Sequence, residues 1–137
     1  MTYAGDLSPT DAYRRVADGD AVLVDVRTAA EWQYVGTPDL AAVGREVVRI
    51  EWVRFPGGTP NEGFLDDLAA AGVGKDTHVL FLCRSGVRSV AAAEAATAAG
   101  WTNAYNILEG FEGNPDAAGH RGTSAGWKAS GLPWRQS

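Results

Sequence analysis

The stretch from residue 79 to residue 100 constrains the fold of this chain more than any other. Residues 79–82 are four consecutive apolar residues, which indicate a strand that is buried on both faces. Cys83 ends this run, and a segment rich in helix formers then extends over residues 90–99. Gly100 follows, at a position typical of the residue just past a helix. The stretch therefore predicts a strand, a tight loop and a helix.

The loop between this strand and helix contains the only cysteine of the chain. Backbone N–H groups in such a loop converge on one point and carry the positive end of the helix dipole, so an anion at that point is stabilised. A thiolate is such an anion. A lone buried cysteine is usually an inert core residue, but Arg84 and Arg88 add a cationic rim that an inert residue does not need. We therefore expect Cys83 to react as a thiolate.

Length and charge limit the classes of function that remain. The 137 residues fit one domain, residues 1–137, that is long enough to bury a core. A net charge of −5 argues against a nucleic acid or an anionic membrane as the partner. The sequence contains no metal-ligand cluster and no stretch of membrane-spanning length, and its N-terminus does not resemble a signal peptide. We expect a cytoplasmic protein without a metal or cofactor.

Short apolar segments alternate with helical patterns along the chain. Strands are predicted at residues 3–7, 21–26, 46–53, 79–82 and 104–108. Helices are predicted to start at Ser8, at the capping-box pair Thr28 and Glu31, and at Asn61, whereas residues 34–44 and 55–60 are predicted to be loop and turn. This alternation predicts an α/β domain with a mainly parallel sheet flanked by helices.

The last fifth of the chain differs in composition from the rest. Residues 110–137 are rich in glycine, with asparagine and proline, and we expect them to form a loop-rich tail packed on the domain. The five tryptophans, Trp32, Trp52, Trp101, Trp127 and Trp134, are predicted to be core or packing residues. Trp52 and Phe55 are candidates for the wall of a pocket.

Polar residues follow three of the predicted strands. Asp25 and Arg27 end one, Cys83 ends the next and Glu109 follows the last. In parallel sheets, ligands bind outside the carboxyl ends of the strands. We therefore expect these side chains to meet in one crevice.

The motif Cys83-Arg84-Ser85-Gly86-Val87-Arg88-Ser89 resembles the active-site loop of the rhodanese family of sulfurtransferases. Residues 23–27 with Glu31-Trp32 resemble the early signature of that family, and Leu108-Glu109-Gly110 resembles its late signature. The matches occur in the expected order and cover most of the chain. The resemblance implies a small α/β fold with a central five-stranded parallel sheet and a persulfide on Cys83 as the catalytic intermediate.

The chemistry follows from the residues of the loop. Thiolate attack on the outer sulfur of thiosulfate would release sulfite and leave a persulfide, and attack by cyanide or an acceptor thiol would restore the thiolate. Backbone N–H groups of residues 84–88 would hold the persulfide, while the side chains of Arg84 and Arg88 would attract the anionic donor. Gly86 permits a backbone turn that a Cβ would hinder.

The sequence allows more than one role for the three supporting residues. Asp25 is interpreted as a structural partner that fixes a loop, whereas Arg27 is either its structural partner or a direct ligand of the donor. Ser89 is either a helix N-cap or a catalytic hydroxyl.

Two other classes of function remain open. A cysteine phosphatase or arsenate reductase places five residues between its cysteine and arginine, but only four separate Cys83 from Arg88, and a shorter loop suits sulfur better than phosphate. Alternatively, the chain is a non-enzymatic sulfur carrier or redox sensor that acts on a protein partner, since a carrier would share the same loop.

Overall fold

The computed structural model describes residues 3–19, 21–54, 57–123 and 125–136. Phe55 and Pro56, which belong to the predicted turn at residues 55–60, lie outside these residues. The proposed role of Phe55 in a pocket wall therefore also falls outside them.

The described elements follow one another as alternating strands and helices. In chain order they are β1 (Gly5–Leu7), α1 (Pro9–Ala17), β2 (Ala21–Asp25), α2 (Ala29–Tyr34), β3 (Thr37–Pro38), a 3₁₀ turn (Ala41–Val43), β4 (Val48–Arg49), β5 (Val53–Arg54), β6 (Thr59–Pro60), α3 (Phe64–Ala70), β7 (His78–Leu82), α4 (Val87–Ala98), β8 (Ala104–Ile107), α5 (Gly126–Ala129) and β9 (Trp134–Arg135).

A five-stranded sheet in the order β1-β8-β7-β2-β4 forms the centre of the fold, and every pair of neighbouring strands in it is parallel. The predicted α/β fold with a central parallel sheet of five strands is confirmed. Because β7 lies in the middle of the sheet, its carboxyl end has a strand neighbour on both sides. Cys83 follows that end.

Helices cover both faces of the sheet. On one face, Phe64 and Leu68 of α3 pack with Ala92 and Ala96 of α4. On the other face, α1 and α5 pack against Leu23 and Leu80, and Trp127 of α5 is fully buried. The apolar residues of β2 and β7 are thus covered on both sides, as their continuous hydrophobic runs require.

Local capping signals explain where two of the helices begin. The Ser8 hydroxyl accepts a hydrogen bond from the Asp11 N–H, and Thr28 and Glu31 form a complete capping box at α2. At α3 the prediction was wrong by two residues. The N-cap is Gly63, and the Asn61 side chain instead accepts a hydrogen bond from the Gly63 N–H at 3.2 Å.

The middle of the chain departs from the prediction. The strand expected at residues 46–53 is divided, because β4 joins the central sheet whereas β5 pairs with β6 in a separate antiparallel ladder. The predicted loop at residues 34–44 contains β3, which pairs with β9 from the tail. Pairing between distant segments therefore determines these short strands, and their own sequences do not reveal it.

The tail is held on the domain by aromatic side chains. Trp127 packs edge-to-face against Tyr13 of α1, and its indole N–H donates to the Pro133 carbonyl at 2.7 Å. Trp134 is 40% exposed, yet it contacts Phe111 edge-to-face and carries the Lys128 ammonium 4.0 Å from its ring centroid. Trp134 is thus a packing residue on the surface and not part of the core.

No helix among residues 3–19, 21–54, 57–123 and 125–136 has the length and apolar character needed to cross a membrane.

Candidate active site

Cys83 lies directly after β7 at the N-terminal end of α4, and only 1% of it is exposed. The backbone N–H of Gly86 donates to Cys83 Sγ at 3.1 Å. Gly86 is the N-cap of α4 and has a φ of +110°, a conformation that a residue with a Cβ rarely adopts. No side chain caps the helix, and the hydrogen bond from the Gly86 N–H places the sulfur at the N-terminal end of α4.

The start of α4 was predicted too late. The helix begins at Val87 and not at residue 90, because Gly86 makes the turn that the sequence indicated only as loop. Arg88 and Ser89 therefore belong to the first helical turn. Val87 is 78% exposed, Arg84 is exposed and Ser85 is half-buried, so the loop faces solvent while its cysteine does not.

Residues 110–113 hold the cysteine loop from the side of the tail. The Phe111 N–H donates to the Cys83 carbonyl at 2.8 Å, and the Glu112 and Gly113 N–H groups donate to the Arg84 carbonyl at 3.0 and 3.1 Å. Gly110 has a φ of +64°, and a Cβ there would lie 2.4 Å from the Cys83 carbonyl oxygen. The late Leu108-Glu109-Gly110 segment thus supports the loop because it allows this close backbone approach.

Ser89 lies beneath the cysteine and is fully buried. Its Oγ is 3.2 Å from Cys83 Sγ and donates to Asn106 Oδ1 at 2.6 Å. Since Gly86 is the N-cap of α4, Ser89 does not fill that role. Its hydroxyl instead contacts the sulfur directly.

Asn106 and Asp6 extend this contact to the surface, and sequence reasoning missed both. Asn106 Nδ2 donates to Asp6 Oδ1 at 3.0 Å, and the Tyr3 hydroxyl donates to the same oxygen at 2.8 Å. Burial, followed by this hydrogen bond and the Asp6 charge, raises the pKa of Tyr3. The one available signal was an asparagine inside an apolar strand, because a buried amide needs hydrogen-bond partners.

Arg88 forms a two-hydrogen-bond ion pair with Glu31 of α2. Nη1 lies 2.6 Å from Oε1 and Nη2 lies 3.0 Å from Oε2, and the side chains are 23% and 19% exposed. The hydrogen bond to Glu31 raises the pKa of Arg88 against the effect of burial, and the nearby charges of Cys83 and Asp25 contribute. The guanidinium edge that was expected to bind the donor is therefore occupied, although its positive charge remains near the sulfur.

Asp25 and Arg27 form a buried pair with no exposed side-chain surface. Arg27 Nε and Nη2 donate to the Asp25 carboxylate at 2.9 and 2.6 Å, and Nη2 also donates to the Gly36 carbonyl at 2.7 Å. The guanidinium lies 4.3 Å from the Phe111 ring centroid, and its Nη1 has no hydrogen-bond partner among the described residues. Both side chains are thus fully buried and paired with each other, so the Arg27 guanidinium is not exposed to a donor in solvent.

Cavity volume does not identify this site. A cavity of about 420 Å³ lies beside β3, β4 and β9, and its lining includes Arg45, Arg49 and Arg135 but not Cys83. Within the described part of the chain, no group of three or more His, Cys, Asp or Glu residues could hold a metal ion. The geometry of the loop and of α4 therefore defines the candidate site.

Comparison with known proteins places the chain in a family. A family model described as the STR4 middle domain matches residues 4–137. Rhodanese-like domain-containing protein 4, chloroplastic, of Arabidopsis thaliana is 28% identical over 129 residues, which are 93% of this chain and 25% of that protein. The chain belongs to the STR4 middle domain family and is a rhodanese-like domain. The family resemblance of the sequence is confirmed.

Other relatives of this rhodanese-like domain match it along its whole length. An uncharacterized protein of Rickettsia conorii is 39% identical over 133 residues, covering 95% of this chain and 96% of its own. The crystal structure of Rv0390 from M. tuberculosis has a TM-score of 0.88 and 55% identity and covers 98% of this chain and 99% of its own. The polysulfide-sulfur transferase from Wolinella succinogenes, at 21% identity and a TM-score of 0.66, shares the fold over 99% of this chain and 80% of its own.

Proposed function

We propose that this rhodanese-like domain transfers sulfane sulfur through a persulfide on Cys83. The observation that supports the proposal is the position of Cys83 Sγ, which receives the Gly86 N–H at the N-terminus of a twelve-residue helix. Partial positive charge from the helix terminus and the charge of Arg88 favour negative charge at that sulfur. A nucleophilic thiolate and a persulfide anion both need this environment.

The reaction would proceed in two displacements. In the first, the Cys83 thiolate attacks the outer sulfur of thiosulfate, the S–S bond of the donor breaks, and sulfite leaves with the bonding electrons. In the second, cyanide or a thiolate attacks the outer sulfur of the persulfide, and the Cys83 thiolate leaves. Electrons balance in each step without an external oxidant or reductant.

Burial of Cys83 limits the size of the molecules that can contact its sulfur, and this favours a transfer in two steps. Only 1% of Cys83 is exposed, so a bulky acceptor has little access to Sγ. A sulfur bonded to Sγ would lie about 2 Å further along the S–S bond. The transferable atom would then be more accessible than the atom that carries it.

The attraction of the anionic donor depends mainly on Arg84. The net charge of −5 repels a dianionic donor at long range, so attraction must act within about 8 Å, the Debye length at physiological salt. The Arg84 side chain is exposed and makes no ion pair with any described residue, whereas Arg88 is held by Glu31. We infer that Arg84 attracts the donor and that Arg88 fixes the helix start and supplies nearby charge.

Product formation with excess thiosulfate and cyanide tests this function. An enzyme should form many thiocyanate molecules per protein molecule, and Cys83→Ser should form none. About one thiocyanate per protein, followed by no further product, would instead indicate a persulfide present at the start that thiosulfate does not reload, as expected of a carrier whose donor is another protein. Turnover that persists in Cys83→Ser would contradict the proposed intermediate.

A further inference from the structure

The Ser89 hydroxyl has a single proton to donate and two neighbours that could receive it. Its Oγ lies 2.6 Å from Asn106 Oδ1 and 3.2 Å from Cys83 Sγ. An amide oxygen can only accept, so the short contact to Asn106 requires the serine to be the donor. The sulfur contact then has the thiol S–H as donor and Ser89 Oγ as acceptor.

Asp6 fixes which end of the Asn106 amide faces the serine. The Asp6 carboxylate accepts from Asn106 Nδ2 at 3.0 Å, and a carboxylate cannot donate in return. β1 and β8 align Asp6 directly with Asn106, so the pair is built into the strand register. The amide oxygen must therefore point towards Ser89, where no other described residue donates to it.

We propose that the Asp6–Asn106 pair sets the direction of the Ser89 hydroxyl and thereby withholds its proton from Cys83 Sγ, which opposes formation of the thiolate. Forming the thiolate would turn the Ser89 proton towards sulfur and leave the buried Asn106 Oδ1 without a donor, which carries a free-energy cost. Asp6 and Asn106 act through Ser89 and are positioning residues. The inference rests on the proposed function only in taking Cys83 as the reacting thiol.

Other charged and titratable groups lie on the elements around Cys83 and Asp6. The charge of Arg88 interacts with Cys83, and the Tyr3 hydroxyl donates to the Asp6 carboxylate. The remaining groups are Arg84 on the loop, Glu31 on α2, Asp25 and Arg27 at the end of β2, and Glu109 after β8. The variants proposed below leave all of them in place. Differences between the variants therefore report on the chain from Asp6 to Ser89.

The pH dependence of alkylation by iodoacetamide measures the thiolate directly, because Cys83 is the only cysteine. Asp6→Asn lets the Asn106 amide turn over, with its oxygen accepting from the new side chain and its Nδ2 donating to Ser89. The serine proton is then free for the thiolate. We expect the midpoint of the pH profile to fall by on the order of one pH unit.

A double-mutant cycle separates this effect from simple loss of charge. In a Ser89→Ala background, Asp6→Asn should no longer move the midpoint if the effect passes through the hydroxyl. A through-space charge effect would persist in that background. Asp18→Asn, which removes an equal charge from another exposed site, should leave the midpoint unchanged.

A second variant keeps the test decisive if Asp6→Asn does not fold. Asn106→Leu removes the acceptor at similar size and should lower the midpoint in the same direction. An unchanged profile in folded Asn106→Leu, or an equal shift from Asp6→Asn with and without Ser89, would overturn the proposal. Alkylation needs no sulfur donor, so a protein without sulfurtransferase activity would still give a clear answer here.

Discussion

The ion pair between Glu31 and Arg88 should contribute measurably to the stability of the cysteine loop, and Glu31→Gln tests it. Glutamine keeps an oxygen for the Thr28 N–H of the capping box, but it removes the charge and replaces the oxygen that accepts from Arg88 Nη2 by an NH2 group. A hydrogen bond to a charged group contributes about 1.5–3 kcal/mol, and exposed ion pairs contribute about 0–1 kcal/mol. With side chains 19% and 23% exposed, we expect the free energy of unfolding at pH 7 to fall by about 1–2 kcal/mol.

The pH dependence of this loss has a definite sign. Burial alone would raise the pKa of Glu31, but the hydrogen bonds and charge of Arg88 outweigh it and lower the pKa below its ordinary value of 4.5. A carboxylate with a lowered folded-state pKa stabilises the protein above its unfolded-state value and loses that contribution as the pH falls through the folded-state value. The difference between wild type and Glu31→Gln should therefore be full at pH 7 and shrink below about pH 4.

Urea denaturation of both proteins at pH 7 and pH 3 measures the two differences. Arg14→Gln is the control, because Arg14 forms a 3.7 Å pair with Asp11 while 69% exposed, and we expect its loss to matter far less. Equal losses at both pH values in Glu31→Gln would show that packing and not charge is responsible. No loss at pH 7 would refute the structural role of the pair.

Three further outcomes are expected. Arg84→Ala should raise KM for thiosulfate and flatten the salt dependence of KM with little change in kcat, whereas Arg88→Ala should lower kcat as well. Steady-state kinetics at low and high salt measure both effects. Unchanged values in both variants would remove the arginines from the mechanism. Gly110→Ala should lower the free energy of unfolding in urea by roughly 1–3 kcal/mol or more, because Gly110 has a positive φ and a Cβ would clash with the Cys83 carbonyl. An unchanged free energy of unfolding would contradict the close approach of Gly110 to the Cys83 carbonyl. Aryl phosphates should not be hydrolysed at rates comparable with sulfur transfer, since only four residues separate Cys83 from Arg88.

Local sequence signals predicted much of the fold. The apolar runs identified β2 and β7, and the Ser8 and Thr28 caps identified α1 and α2, because each signal acts within a few residues. The start of α4 was missed because Gly86 caps it through backbone geometry and not through a side chain. The short β4 and β5 depend on partners from other parts of the chain, so periodicity could not separate them.

The sequence predicted only part of the candidate site. The cysteine loop is one continuous motif, so its residues were found together. Glu31 is 57 positions from Arg88, and Asp6 is 100 positions from Asn106, so only the fold brings these partners together. A donor-binding role was expected for Arg88 because it belongs to the cationic rim of the cysteine loop, and the Glu31 carboxylate provides a different reason for its position.

Intact mass spectrometry tests whether Cys83 carries the transferred sulfur. We expect the protein to gain the mass of one sulfur atom after thiosulfate and to lose it after cyanide, while Cys83→Ser stays unchanged in both steps. A protein that gains no mass, or a Cys83→Ser variant that gains the same mass, would contradict the persulfide mechanism.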